Sequence, residues 1–194
     1  MDPKELEIPS HFETERFVLR CYRPGDGRMY YAAGQRNRQH LQRYEAGNIL
    51  LSPQSVAEAE GVVAELAEAW ASRQSFFVGI FDKESGVWLG QIYIGVVSWQ
   101  TPEFELGYVV DGEHEGQGVM AESVGTALGF IFHDLHAHRV RVRCDDTNER
   151  SQRVAERAGF VREGHLRQDI STACWRSTFG HSGQESLIWR QDLR

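Results

Sequence analysis

Three cysteines, three methionines and five prolines are all that the 194 residues contain of these types. Cys21, Cys144 and Cys174 are scattered and odd in number, with no C-x-x-C and no Cys/His ligand spacing, which excludes a disulfide framework and a zinc site of the usual spacing. No apolar run approaches the ~18 residues of a membrane span. The first residues, MDPKELEIPSHFETERFVLR, lack the basic segment followed by an apolar stretch that marks a secretory signal. A reducing cytoplasm is therefore the expected setting, and no membrane partner is expected. Positive charge is also scarce: 21 basic against 28 acidic residues give a net charge of −7, which argues against nucleic acid as the main partner. Two phosphate motifs are missing as well. There is no G-x-x-x-x-G-K-[ST], and no G-x-G-x-x-G after an early strand.

What is present reads as one compact domain over residues 1–194, with 1–13 as a loose leader holding two prolines. RFVLRCY (16–22) alternates as a strand, and residues 23–47 mix helical patches with turn residues, as one or two short helices. SPQSVAEAEGVVAELAEAWASR is the clearest helix, with Ser52 as its cap, Pro53 in its first turn and Val56, Val63, Ala67 and Trp70 on one face. SFFVGIFD, GVWLGQIYIGVVSW and EFELGYVV follow as strands, the last setting Phe104, Leu106 and Tyr108 against Glu103 and Glu105. Then come a glycine loop and helix, the strand RVRVRC (139–144), a helix capped by Asn148 or Thr147 and closed by Gly159, and the strands FVREGHLRQ and ESLIWRQDL. Antiparallel strands followed by alternating helices and strands predict an α+β fold, a mixed and mostly antiparallel central sheet with helices on both faces.

The loop EGQGVMAES raises the functional question. Gly116, Gln117 and Gly118 stand between a predicted strand and a predicted helix. Free amides at such a junction favour a phosphate or diphosphate. A turn that merely needs positive φ would use the same residues. The two readings stay open on these residues alone.

TERFVLR, FELGYVV, EGQGVMAES, NERSQRVAERAGF and REGHLR stand in one order along residues 14 to 190. In that order the sequence resembles the GNAT N-acetyltransferases, in the ribosomal-protein branch that modifies protein N-terminal amines. The resemblance implies acetyl-CoA as cosubstrate, no metal, and direct attack by a primary amine. The acceptor it implies is a peptide N-terminus, with a small amine (a polyamine, amino acid or aminoglycoside) or a non-catalytic acyl-CoA-binding module as alternatives. It also implies a homodimer. In such folds the fourth and fifth strands, here ELGYVV and RVRVRC, splay apart and the pantetheine lies between them. The cofactor-binding residues then are Val109, Val110, Gly116, Gln117, Gly118, Val119, Met120 and Ala121 through their backbone, with Asn148 beside them. Glu115 and Met120 depart from the family pattern Q/R-x-x-G-x-G/A. The direction of those two side chains decides whether they meet the diphosphate.

Transfer to an amine needs a neutral nucleophile, a route for its proton and stabilisation of the oxyanion. Glu105 is the candidate base, with Glu103 on the same strand face; a pair of solvated edge carboxylates is the alternative. Many GNAT enzymes place a tyrosine acid where this chain has Ala155, so Ser151 becomes the candidate acid, or else a first-turn serine bonded to backbone. Tyr108 offers a phenol near the cleft or simply a core aromatic. His133, His136 and His138 suit a helix C-terminus better than a metal. Arg139, Arg141 and Arg143 read as a solvated or salt-bridged face rather than a nucleic-acid track. Asp169 and Glu185, in and beside the polar late stretch DISTACWRSTFGHSGQ, are candidates to hold an acceptor ammonium.

Overall fold

The computed structural model describes residues 3–166 and 186–192. Asp169, Cys174, Trp175 and Glu185 lie outside the described residues.

The elements run β1 (His11–Glu13), β2 (Phe17–Cys21), α1 (Gly27–Gln42), α2 (Val56–Ala71), β3 (Ser75–Asp82), β4 (Trp88–Ser98), β5 (Glu103–Val110), α3 (Val119–Gly129), β6 (Arg139–Asp145), α4 (Glu149–Arg157), β7 (Val161–Leu166) and β8 (Ser186–Asp192). They build one sheet in the order β1-β2-β3-β4-β5-β6-β8-β7. Among the described residues β5 and β6 pair parallel, while the other neighbours run antiparallel. The mixed, mostly antiparallel α+β sheet expected from the sequence is therefore present. The leader is not wholly loose: Phe12 pairs with Leu19, making β1 an edge strand.

Alternation along the strands feeds two cores. Phe76, Ile92, Ile94, Phe104 and Leu106 pack with Val124, Ala127 and Leu128 of α3 and Ala155 of α4. On the opposite face Tyr22, Phe77, Phe81, Trp88 and Val109 pack with Tyr30 and Ala33 of α1 and Val63 and Leu66 of α2. Helices thus cover both faces. At ~25 cal/mol per Å² of apolar surface removed from water, such burial supplies most of the drive for folding.

Two local expectations shift. Residues 27–42 form one sixteen-residue helix, not two short ones. The start of α2 moves from Ser52 to Ser55, whose side chain accepts the Glu58 amide at 3.2 Å, while Glu58 Oε2 reaches back to the Gln54 amide at 2.9 Å. This capping exchange satisfies two otherwise orphaned donors. Ser52 instead closes a short 3₁₀ turn, Ile49–Leu51, by donating to the Ile49 carbonyl. The buried stripe of α2 is accordingly Ala59, Val63, Leu66 and Trp70, with Val56 exposed. Ser55→Ala should lower stability by about 1 kcal/mol, read as a drop in denaturation midpoint; the same change at Ser52 should cost less than half of that.

Candidate active site

The parallel pairing of β5 with β6 is short. It runs from Glu103↔Arg139 to Leu106↔Val142 and then stops. Beyond it, Gly107 to Val110 keep β4 on one edge, and Arg143 to Asp145 keep β8 on theirs. The two strands part, leaving an edge of unpaired backbone groups on β5. Buried backbone groups need partners, and an amide-bearing ligand arm can supply them.

The glycine loop closes one end of this fork. A 3₁₀ turn, Gly112–His114, leads into it, and α3 starts at Val119 with Gly118 as N-cap. Gly116 and Gly118 have φ of +75° and +78°, a left-handed conformation that L side chains rarely adopt. Among the described residues, none of the amides from Gly116 to Ala121 donates to another group of the chain; the first bonded amide is that of Glu122, to the Gly118 carbonyl. The loop is held from behind. Arg16, just before β2, donates to the Gln117 carbonyl at 3.2 Å and pairs with Glu122 at 2.7 Å. From α1, Arg36 pairs with the fully buried Asp111, and Asn37 Oδ1 accepts the Gly112 amide at 2.8 Å. Burial alone would raise the Asp111 carboxyl, but the Arg36 guanidinium overrides it and holds it below the usual carboxylate range.

A cavity of about 980 Å³ runs along the fork. Tyr108, Val109 and Val110 of β5, Glu115, Gly116 and Gly118 to Ala121 of the loop and the start of α3, and Asn148 and Ser151 at the start of α4 line it, together with His40, Leu41, Arg43, Tyr44 and Glu45. Of the residues expected at a cofactor site, Val109, Val110, Gly116, Gly118, Val119, Met120, Ala121 and Asn148 share this cavity. Gln117 does not: its amide side chain folds back to the Glu113 carbonyl at 3.3 Å. Met120 turns its side chain into the core beside Gly90, away from the loop amides. Glu115 is drawn aside by Arg150 and by His40, 3.3 Å away. Arg43 and Arg157 also face the cavity and, among the described residues, have no carboxylate partner.

Asn148 caps α4, accepting the Ser151 amide at 3.1 Å. The Ser151 hydroxyl donates to the Tyr108 phenol at 3.1 Å, and that phenol donates to the Ser151 carbonyl at 2.9 Å. Burial pushes the phenol well above its ordinary range, the Ser151 contact pulling it partly back. It therefore keeps its proton, which is held by the Ser151 carbonyl and ties β5 to the start of α4. Ala155, at the position of the tyrosine of many GNAT enzymes, is fully enclosed in the core. A phenol reaches the start of α4 from β5 instead.

Glu105, the base expected from the sequence, is not among the residues lining this cavity. It is 6% exposed, and its two oxygens accept from Arg141 at 2.8 Å and Arg143 at 3.1 Å. It is neither a solvated edge carboxylate nor open to an amine: it braces the last paired residues before the fork. Arg139 pairs with Asp192, which makes the arginine strand a salt-bridged face. Among the described residues no three His, Cys, Asp or Glu side chains converge as a metal site, and no helix is long and apolar enough to cross a membrane. Burial pushes the Cys144 thiol up, so it offers no ready thiolate nucleophile.

The model of the acetyltransferase (GNAT) domain matches residues 16–161. The chain belongs to the GNAT acetyltransferase family. It is 27% identical over 161 residues to the ribosomal protein uS5-alanine N-acetyltransferase of Escherichia coli (strain K12), covering 79% of each chain. It is 28% identical over 109 residues to the probable N-acetyltransferase YjcK of Bacillus subtilis (strain 168), a match spanning 56% of this chain and 60% of that one. In fold it is similar to the ribosomal-protein-S5-alanine acetyltransferase from Vibrio fischeri (TM-score 0.79, 20% identity, 95% and 97% of the two chains). It is also similar to RimL, a ribosomal L7/L12 α-N-protein acetyltransferase solved with coenzyme A (TM-score 0.80, 17% identity, 96% and 97% covered).

As a GNAT enzyme it is an N-acetyltransferase that takes its acetyl group from acetyl-CoA. The residues present fit that cosubstrate: six free amides suit a diphosphate and the bare β5 edge suits the pantetheine amides. The thioester is already activated, so the chain's own groups need only position, polarise and move protons.

Glu45 is the residue that sequence reasoning missed. It lies between α1 and the 3₁₀ turn, lines the cavity and accepts from Asn48 Nδ2 at 2.6 Å. Nothing in the local sequence signals it, because its setting is made by a strand far along the chain.

Proposed function

We propose that this GNAT enzyme acetylates the α-amine of a protein or peptide N-terminus by direct attack on acetyl-CoA. The observation that carries the acceptor class is the E. coli uS5-alanine N-acetyltransferase, whose likeness extends over four-fifths of both chains rather than over the cofactor segment alone. The geometry supports the cofactor half. On this reading the diphosphate rests on the amides of Gly116 to Ala121 and the pantetheine follows Val109 and Val110, with Asn148 beside it. The Tyr108–Ser151 pair lies beside the sulfur; rotation of the Ser151 hydroxyl off the phenol turns its O–H to the leaving thiolate, while the phenol stays bonded to the Ser151 carbonyl. Arg43 and Arg157 are placed for the remaining phosphate. Binding energy along this long cofactor orients the thioester, which is how remote contacts raise a rate. The reading keeps the cytoplasmic setting and the homodimer implied by the sequence resemblance; light scattering checks the second.

A small-amine acceptor has one observation in its favour. The spermidine N(1)-acetyltransferase of Vibrio cholerae is 29% identical, but over 71 residues, 37% of this chain. A panel of unblocked peptides, N-terminally acetylated peptides, spermidine and free amino acids, each with acetyl-CoA, separates the readings. The expected result is thiol release with unblocked peptides and a mass gain of one acetyl group at their N-terminus. Turnover of spermidine with none of peptides would replace the acceptor. Coenzyme A stabilisation without turnover of any amine would leave a binding module. Ser151→Ala should lower kcat by about 10- to 100-fold, in the lower range for a lost oxyanion or acid–base donor, with KM for acetyl-CoA little changed.

A further inference from the structure

The fork leaves the acceptor amine without an evident proton acceptor, because Glu105 is committed to Arg141 and Arg143. One other carboxylate stands free at the cavity wall. Glu45 is fixed by Asn48, itself 2% exposed. Asn48 Oδ1 is occupied by the Leu50 amide at 3.0 Å, which turns its Nδ2 toward Glu45 Oε2. Glu45 Oε1 has no partner among the described residues and belongs to a residue that lines the cavity. Across that cavity stands the Tyr108 phenol, close enough for the Glu45 charge to act on it.

We infer that Glu45 is the general base of this acetyltransferase, taking the proton from the acceptor ammonium through Oε1. The inference rests on the reading of the cavity as the acetyl-CoA site. The ammonium gives one proton to Glu45, and the freed nitrogen lone pair forms the C–N bond at the thioester carbon. The C–S bond then breaks, its electron pair passing to sulfur beside Tyr108. The second nitrogen proton ends on sulfur, and Glu45 returns its own proton to water. One amide, one thiol and one released proton result.

Desolvation supports the assignment. Although part of Glu45 opens on the cavity, burial raises its carboxyl to about 7, with the Asn48 hydrogen bond opposing. A base tuned near the working pH is the efficient choice. The ionisable groups that line the cavity with it are His40, Arg43 and Tyr44 from the end of α1, Tyr108 from β5, His114 from the loop and Glu149 from the first turn of α4. The Glu115–Arg150 pair, with Arg153 and Arg157 of α4, completes the wall. These set its environment without bonding to Oε1.

The test uses the full chain, acetyl-CoA and an unblocked peptide. Glu45→Gln should lower kcat/KM at pH 7 by about 100-fold or more and abolish the rise with pH centred near 7, while coenzyme A still stabilises the variant. Glu45→Asp should restore part of the rate together with that rise. A second readout needs no turnover. The folded carboxyl lies above its unfolded value of 4.5, so the stability it contributes is present below pH 4.5 and is lost as pH rises through about 7. Glu45→Gln removes this dependence, so its melting temperature relative to the parent should climb between pH 5 and pH 8. A variant that keeps more than half of the activity and the same pH profile overturns the assignment, as does an unchanged melting difference. If coenzyme A stabilises the parent and unblocked peptides turn over in those same preparations, the acetyltransferase reading survives that failure. A parent that neither binds coenzyme A nor acetylates any amine overturns both.

Discussion

Gly118→Val should remove the thermal stabilisation that coenzyme A confers, weakening binding by about 100-fold or more. Two features meet at that position. Its φ of +78° costs an L residue about 1–2 kcal/mol, and a β-branched one more. A Cβ there would stand 3.4 Å from Arg16 NH2, the guanidinium that fixes the Gln117 carbonyl and Glu122. Relief of the backbone strain rotates the peptide planes, and the amides of Val119 to Ala121 lose their common aim. Losing two hydrogen bonds to a charged phosphate oxygen removes about 3–6 kcal/mol, enough for the expected fold-change. The measurement is a melting shift at rising coenzyme A, since stabilisation follows RT ln(1 + [L]/Kd). Gly125→Ala is the control. That glycine is exposed in α3 with nothing within 4 Å of an added Cβ, so affinity should stay within about twofold while the helix gains about 0.5–1 kcal/mol.

Glu105→Ala should destabilise the fold by about 2–3 kcal/mol, read from the denaturation midpoint at constant m-value. Removing one partner of a buried ion pair typically costs about 3–5 kcal/mol, because the other charge is stranded. Here the two guanidinia retain 34% and 22% side-chain exposure and turn partly to water, which moderates the loss. Arg141 also keeps Glu103 at 3.9 Å. Glu105→Gln, still able to accept from one arginine, should cost about half as much. The brace sits where β5 and β6 cease to pair, so the alanine variant should also bind coenzyme A more weakly. Comparison with Glu45→Gln separates brace from base. The first change lowers stability and leaves the pH profile in place; the second spares the fold and flattens the profile.

Much of this was legible from residue order. Strands β3 and β4 announce themselves as β-rich runs buried on both faces, β5 and β6 by alternating side chains, and Gly116 and Gly118 mark a turn that other residues resist. What stayed hidden depends on contacts made at long range. β1 has three residues and no pattern of its own; it exists because β2 offers an edge. α1 looked broken because Asn37, polar and 1% exposed, belongs to its buried side, where it holds Gly112. The α2 start was misplaced because Ser52 and Pro53 imitate a cap, while a 3₁₀ turn claims Ser52 first. Glu105 carries a carboxylate at a plausible register, yet only the parallel pairing brings two arginines to it. Glu45 is the converse, an unremarkable loop residue until β5 and Asn48 surround it.

The enclosed methyl group of Ala155 bears on how such an enzyme changes over generations. A tyrosine there meets a filled interior, where overpacking costs about 1–3 kcal/mol even for smaller additions, because Ala155 has no exposed surface and belongs to the main core cluster. Room for a larger side chain on this face of α4 would come only after its neighbours shrink, through intermediates less stable than either end point.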